Sequence, residues 1–138
     1  DIDLAPIASA AETGLPPSKV LEAELREHAR AALDAAAAPD ADASFVDRML
    51  AGARTIVRVR RTGDVPGDGP EAVIARIERH VGAGDLAAVM AESQKLGEAP
   101  RAALAPWLRK VAARAAVEQK IVEIEEGLKD VVRSGGTP

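Results

Sequence analysis

The chain has 138 residues, a net charge of −4 and an apolar content of 47%, dominated by alanine, with one Phe, one Trp and no Tyr. That length covers one modest core, and an alanine-rich, aromatic-poor sequence favours closely packed helices over sheets because Ala loses little entropy in a helix. The absence of cysteine excludes disulfide staples, thiolate-bound zinc and thiol nucleophiles, and no apolar run approaches the ~20 residues of a membrane span.

The expected class is all-α: a helical bundle built from an α-hairpin and a long C-terminal helix, preceded by N-terminal amphipathic helices. Asp1 is not an initiator methionine, so the chain is read as processed or cut from something longer, which leaves room for a span or signal upstream. Three stretches are distinguished: an N-terminal helical segment and linker over residues 1–43, loosely attached; a basic amphipathic segment over 44–61; and a C-terminal helical domain over 62–138.

Residues 1–11 predict a short helix through Ile2, Leu4 and Ile7, kept brief by Pro6 and by Gly14, Pro16 and Pro17. Ser18 is a good N-cap for a second helix, in which Val20, Leu21, Leu25, Ala29, Ala32 and Leu33 form a stripe ending near Pro39. Glu22, Arg26, Glu27 and Arg30 lie opposite as a solvated face.

Composition then changes abruptly. Residues 44–61 hold five arginines (Arg48, Arg54, Arg58, Arg60, Arg61) against one acid, Asp47, a segment charge of +4, so the rest of a −4 chain sums to −8. As a helix, the segment places Phe45, Val46, Met49, Leu50, Ala53, Ile56 and Val57 on one face and Arg48, Arg54 and Arg58 on the other. Residues 56–60 alternate with period two, so the helix is expected to give way to extended chain near Thr55. Two readings stay open on these residues. The segment either lies on an anionic membrane with its arginines on phosphates or is an ordinary bundle helix whose arginines meet the acidic remainder.

Residues 62–69 read as a loop. Pro70 and Glu71 suit a helix start, with Val73, Ile74, Ile77 and Val81 buried and an end at Gly82 or Gly84. Asp85 caps the next helix, whose Leu86, Val89, Met90 and Leu96 complete an antiparallel hairpin. From Pro100 onward Leu104, Trp107, Leu108, Val111, Ala115, Val117, Ile121, Ile124, Leu128 and Val131 recur at helical spacing. Pro106 either kinks this helix or marks its start. Some 30 helical residues would span about 45 Å, more than a small bundle needs to cover itself. The stripe of Ile121, Ile124 and Leu128 is rotated away from that of Leu104, Leu108 and Val111, and is expected to mediate self-association, most simply as a dimer. Trp107 is the alternative contact, although a lone Trp near a helix start is more often core.

No catalytic, cofactor or metal site emerges. Glu24 and His28 stand four apart without a third ligand, and His80 is single. Ser, Thr and Asp are too scattered for a nucleophile with its base, and Gly63, Gly67 and Gly69 follow no strand. An acidic chain nearly devoid of stacking aromatics is a poor nucleic-acid binder.

The order of motifs VRVRRTGDVPGDGPEAVIARIERHVGAGDLAAVMAESQKL, then APRAALAPWLRKVAARAAVEQKI, resembles the C-terminal domain of the mitofilin family in its bacterial form. The likeness covers residues 57–121 and extends more weakly to ETGLPPSKVLEAEL. It implies a membrane-shaping scaffold of the bacterial inner membrane facing the periplasm, with an anionic membrane surface, further copies of itself and outer-membrane assembly proteins as partners. Under it, Phe45, Arg48, Met49, Leu50, Arg54, Ile56, Arg58, Arg60 and Arg61 form the lipid-binding segment. This sequence departs in the shortness and single aromatic of that segment, and the family's span and coiled coil are not among these residues. The competing expectation is a helical-hairpin protein-interaction module without lipid contact, although no 34-residue repeat recurs.

Overall fold

A computed structural model describes residues 3–38 and 67–135, which are all-α and contain five helices with no strand. The nine residues expected to touch lipid, from Phe45 to Arg61, lie outside the described residues.

Helix α1, Ala5–Thr13, begins where the Asp3 carboxylate accepts the Ala5 N–H at 3.0 Å and stops at Gly14, whose φ of 76° leaves the helical region. It buries no residue fully. Helix α2 runs over Ser18–Ala37. Ser18 is its first helical residue and not its cap, which corrects the expectation: extended Pro17 precedes it and supplies the carbonyl that accepts from Val20 and Leu21. Leu21, Leu25, Ala29 and Ala32 are buried, while Val20 turns to solvent.

Helix α3, Pro70–Ala83, buries Ala72, Val73, Ile74, Ala75, Ile77 and Val81. Its end is a paired C-terminal cap. Gly84, at φ 75°, donates to the Val81 carbonyl, and Asp85 donates to that of His80. Asp85 then opens α4, Leu86–Ser93, by accepting the Ala88 N–H at 3.0 Å. Helix α5 spans Glu98–Arg133, 36 residues or about 54 Å. It passes through Pro106 unbroken. Ala102, whose carbonyl loses its donor there, is exposed along with Pro106, so water can take the place of the missing N–H.

The core is organised by α2. This helix packs on both α5 and α3, α3 pairs with α4, and α4 and α1 lie against α5. Leu21, Leu25, Ala29 and Ala32 therefore share one cluster with Val73, Ile77, Val89, Leu104, Trp107 and Val111. The picture of 1–43 as a loosely attached segment beside a self-contained hairpin-and-long-helix unit is corrected accordingly. Trp107, the largest fully buried side chain, donates its indole N–H to the Leu21 carbonyl at 2.9 Å. A buried N–H without that acceptor would cost about 1–3 kcal/mol. The expected alternative self-contact at Trp107 is thereby corrected, since a side chain inside the protomer cannot meet a second copy.

Two further links cross the seam, and the second fixes its direction. Lys110 Nζ reaches Glu24 at 2.8 Å, and Arg114 donates to the Pro16 carbonyl at 3.1 Å. As α2 numbers fall from 21 to 16, their α5 partners rise from 107 to 114, so the helices are antiparallel.

A fragment of residues 67–138 keeps α3, α4 and α5 but exposes the apolar surface that α2 covers. It is expected to lose cooperative thermal unfolding while the whole chain keeps it, with circular dichroism as the readout.

Candidate interaction surface

The apolar stripe of α5 has two fates. Leu104, Trp107, Leu108 and Val111 are each at most 8% exposed, whereas Ile121, Val122, Leu128, Val131 and Val132 keep 46, 51, 61, 58 and 77% of their surface. The change comes level with the start of α2. Arg114 is already level with Pro16, so of the described helices α1 is left to pack beside the later turns. Val117 is buried there, and Lys120, Glu123, Ile124 and Gly127 are half-buried. Nine residues with two prolines' worth of breakers around them cannot cover the rest.

Of the three residues expected at a self-contact, Ile121 and Leu128 are open to solvent and Ile124 is half-buried. Val122, Val131 and Val132 widen the surface beyond that set. Their signal in the sequence was the adjacent pairs Ile121-Val122 and Val131-Val132, which no single helical stripe can bury together. Around them the helix carries Glu118, Glu123, Glu125, Glu126 and Asp130 with Lys120, Lys129 and Arg133. Lys120 bonds Glu123 at 2.6 Å, and Arg114 faces Glu118 at 2.8 Å.

A second cluster marks the return of the chain into the fold. Arg76 on α3 donates to Glu92 on α4 at 3.0 Å and to the Gly67 carbonyl at 2.8 Å, while Lys95 donates to the other Glu92 oxygen at 2.8 Å. The hydrogen bond from Lys95 holds the Glu92 carboxyl below its ordinary value; burial opposes this, and the bond and charge of Arg76 reinforce it. These contacts pin the hairpin and the start of α3.

Among the described residues no three acidic or histidine side chains are grouped to hold a metal, and no helix is long and apolar enough to cross a membrane. The chain matches no model of a known protein family, no curated protein and no solved structure.

The lowered Glu92 value carries a pH dependence. A depressed carboxylate contributes stability above its unfolded value of about 4.3, and that contribution is lost as pH falls through the folded value. E92Q is expected to cost about 1 kcal/mol at neutral pH, given the residual solvent contact of the pair. The gap between wild type and variant in urea unfolding should narrow as pH falls below the ordinary carboxylate value of about 4.3.

Proposed function

We propose that this chain is a non-enzymatic scaffold that self-associates through the C-terminal part of α5 and contacts anionic membrane through its basic segment, residues 44–61. The observation that carries the first half is the overhang of α5, which leaves Ile121, Leu128 and Val132 exposed on a helix continuous with the bundle. A second copy of the same stripe would cover it, with a dimer the smallest assembly that does so. The second half rests on the charge contrast of +4 within a chain of −4, and on Phe45, Met49, Leu50 and Ile56 as the apolar complement to Arg48, Arg54 and Arg58. It agrees with what the mitofilin resemblance implies: a domain on the periplasmic side of a bacterial inner membrane, with outer-membrane assembly proteins as further partners.

The alternative, a hairpin that grips a peptide, has less in its favour. Val73, Ile77, Val81, Leu86 and Val89 already fill the hairpin's inner surface against the rest of the core.

Two variants separate the parts of the proposal. I121E/L128E should remain folded by circular dichroism, because both positions are exposed, and should sediment as a monomer at concentrations where the wild type associates. R48E/R54E/R58E should associate normally but lose co-sedimentation with anionic vesicles, which in the wild type weakens with salt because each arginine contributes only about 1 kcal/mol at the surface. A folded wild type that ignores anionic vesicles at low salt would remove the membrane half, and a wild type that stays monomeric would remove the other.

A further inference from the structure

The exposed part of α5 continues the lane on which α2 lies. Trp107 and Arg114 face α2 through their bonds to the Leu21 and Pro16 carbonyls. Ile121, Glu125, Leu128 and Val132 stand seven, eleven, fourteen and eighteen residues beyond Arg114. At about 100° per residue, each of those separations returns to within about 40° of the same side of the helix. All four residues are exposed. Helix α1 keeps out of this lane, because the buried or half-buried residues beside it, Val117, Lys120, Ile124 and Gly127, lie about 60–140° round the helix from Arg114. Helix α2 leaves the lane at Ser18, and the four positions beyond remain open to solvent.

Charge decides how a second copy of this stretch would lie there. A two-fold contact is self-complementary, so each residue meets a fixed counterpart. In a parallel, in-register pair every residue of the line faces itself, and Glu125 is set against Glu125 of the other copy. In an antiparallel pair with its axis between residues 126 and 127, Ile121 lies opposite Val132 of the second copy. Glu125 then lies opposite Leu128, where Lys129, one position on, adjoins the carboxylate. Each contact occurs twice. Within one helix Glu125 and Lys129 stand four apart in the favourable order, so the four charges around the axis alternate in sign. Resting on the self-association reading above, we infer that two copies of this chain pair antiparallel through Ile121, Glu125, Leu128 and Val132, with Glu125 of each copy joined to Lys129 of the other.

The register leaves room for both bundles. Arg133, the last helical residue of the second copy, comes level with Lys120, six residues or about 9 Å short of Arg114 and the start of α2. The second copy also runs in the direction of α2, since both are antiparallel to α5. It therefore takes up the lane below the point where α2 leaves it, and the contact extends an interface that the protomer already uses. The two Trp107 levels fall about 58 Å apart along the paired helices, with one bundle at each end.

Because the chain has no cysteine, single cysteines report this geometry cleanly. I121C and V132C are made separately in the full chain, checked for folding by circular dichroism, and oxidised alone and after mixing. A 121-to-132 disulfide that forms only in the mixture is the expected result, because like positions lie eleven residues apart along the pair, about 16 Å, beyond the reach of a disulfide. Charge reversal at two exposed positions adds a second readout. E125K and K129E should each weaken association about tenfold by sedimentation, and E125K/K129E should restore it, because the pairs are remade with their signs exchanged. A parallel pair would respond to none of the three, since each position would still face its own kind. A wild type that sediments as a monomer overturns the inference together with the self-association reading. Association with like-with-like disulfides, with no disulfide in any sample, with no response to the single reversals, or without rescue in the double variant overturns the inference while the self-association reading stands.

Discussion

The structure depends on one antiparallel seam between α2 and α5, locked where the Trp107 indole donates to the Leu21 carbonyl 86 residues away in sequence. Burying the ring removes the chain's most extensive apolar side chain from water, and the hydrogen bond removes the penalty of taking its N–H along. Both effects require the same register. Sliding α2 by one turn along α5 would leave the N–H facing side chains instead of a carbonyl and would part Lys110 from Glu24 and Arg114 from Pro16. Ala29 and Ala32 on the buried face let the neighbouring helices approach closely, so α2 can serve α3 and α5 at once.

That register decides what is covered and what is left over. Helix α2 starts opposite Arg114, so roughly the last 20 residues of α5 extend past it with α1, of the described helices, beside them. An isolated peptide of this length would be a marginal helix in water. Here the bundle supplies the nucleus and the tail propagates from it, leaving Ile121, Leu128 and Val132 exposed on one continuous helix. The same seam carries the C-terminal end of α2 toward the opposite pole.

Much of this was legible in the sequence because local chemistry sets it. Pro70 and Glu71 begin α3, Gly84 supplies the left-handed turn that ends it, and Asp85 caps α4, each through contacts within a few residues. The division of α5 into a buried and an exposed stripe was also readable, from the rotation between Leu104-Leu108-Val111 and Ile121-Leu128. The partners of α2 were not. Its stripe of Leu21, Leu25, Ala29 and Ala32 announces a buried face but carries nothing that names what buries it. The link to Trp107 is likewise a contact between a side chain and a distant carbonyl that any residue could offer. Ser18 failed as a cap because Pro17 had already fixed the extended conformation that a cap residue adopts. Pro106 left two readings open, since the cost of a proline depends on whether the freed carbonyl meets water, and that is a property of the face on which Ala102 lies.

The central claim is that the antiparallel α2–α5 seam holds the C-terminal end of α2 and the exposed part of α5 at opposite poles of the bundle. It is tested most directly by an electron spin–spin distance between labels at A38C and K129C, both at exposed positions of a chain without native cysteine. Dilution with unlabelled protein confines the reading to single molecules. An antiparallel register set by Trp107 and Leu21 predicts a narrow distribution at about 55–60 Å. A distance below about 35 Å would contradict it, because that requires α2 to run alongside the arm instead of away from it.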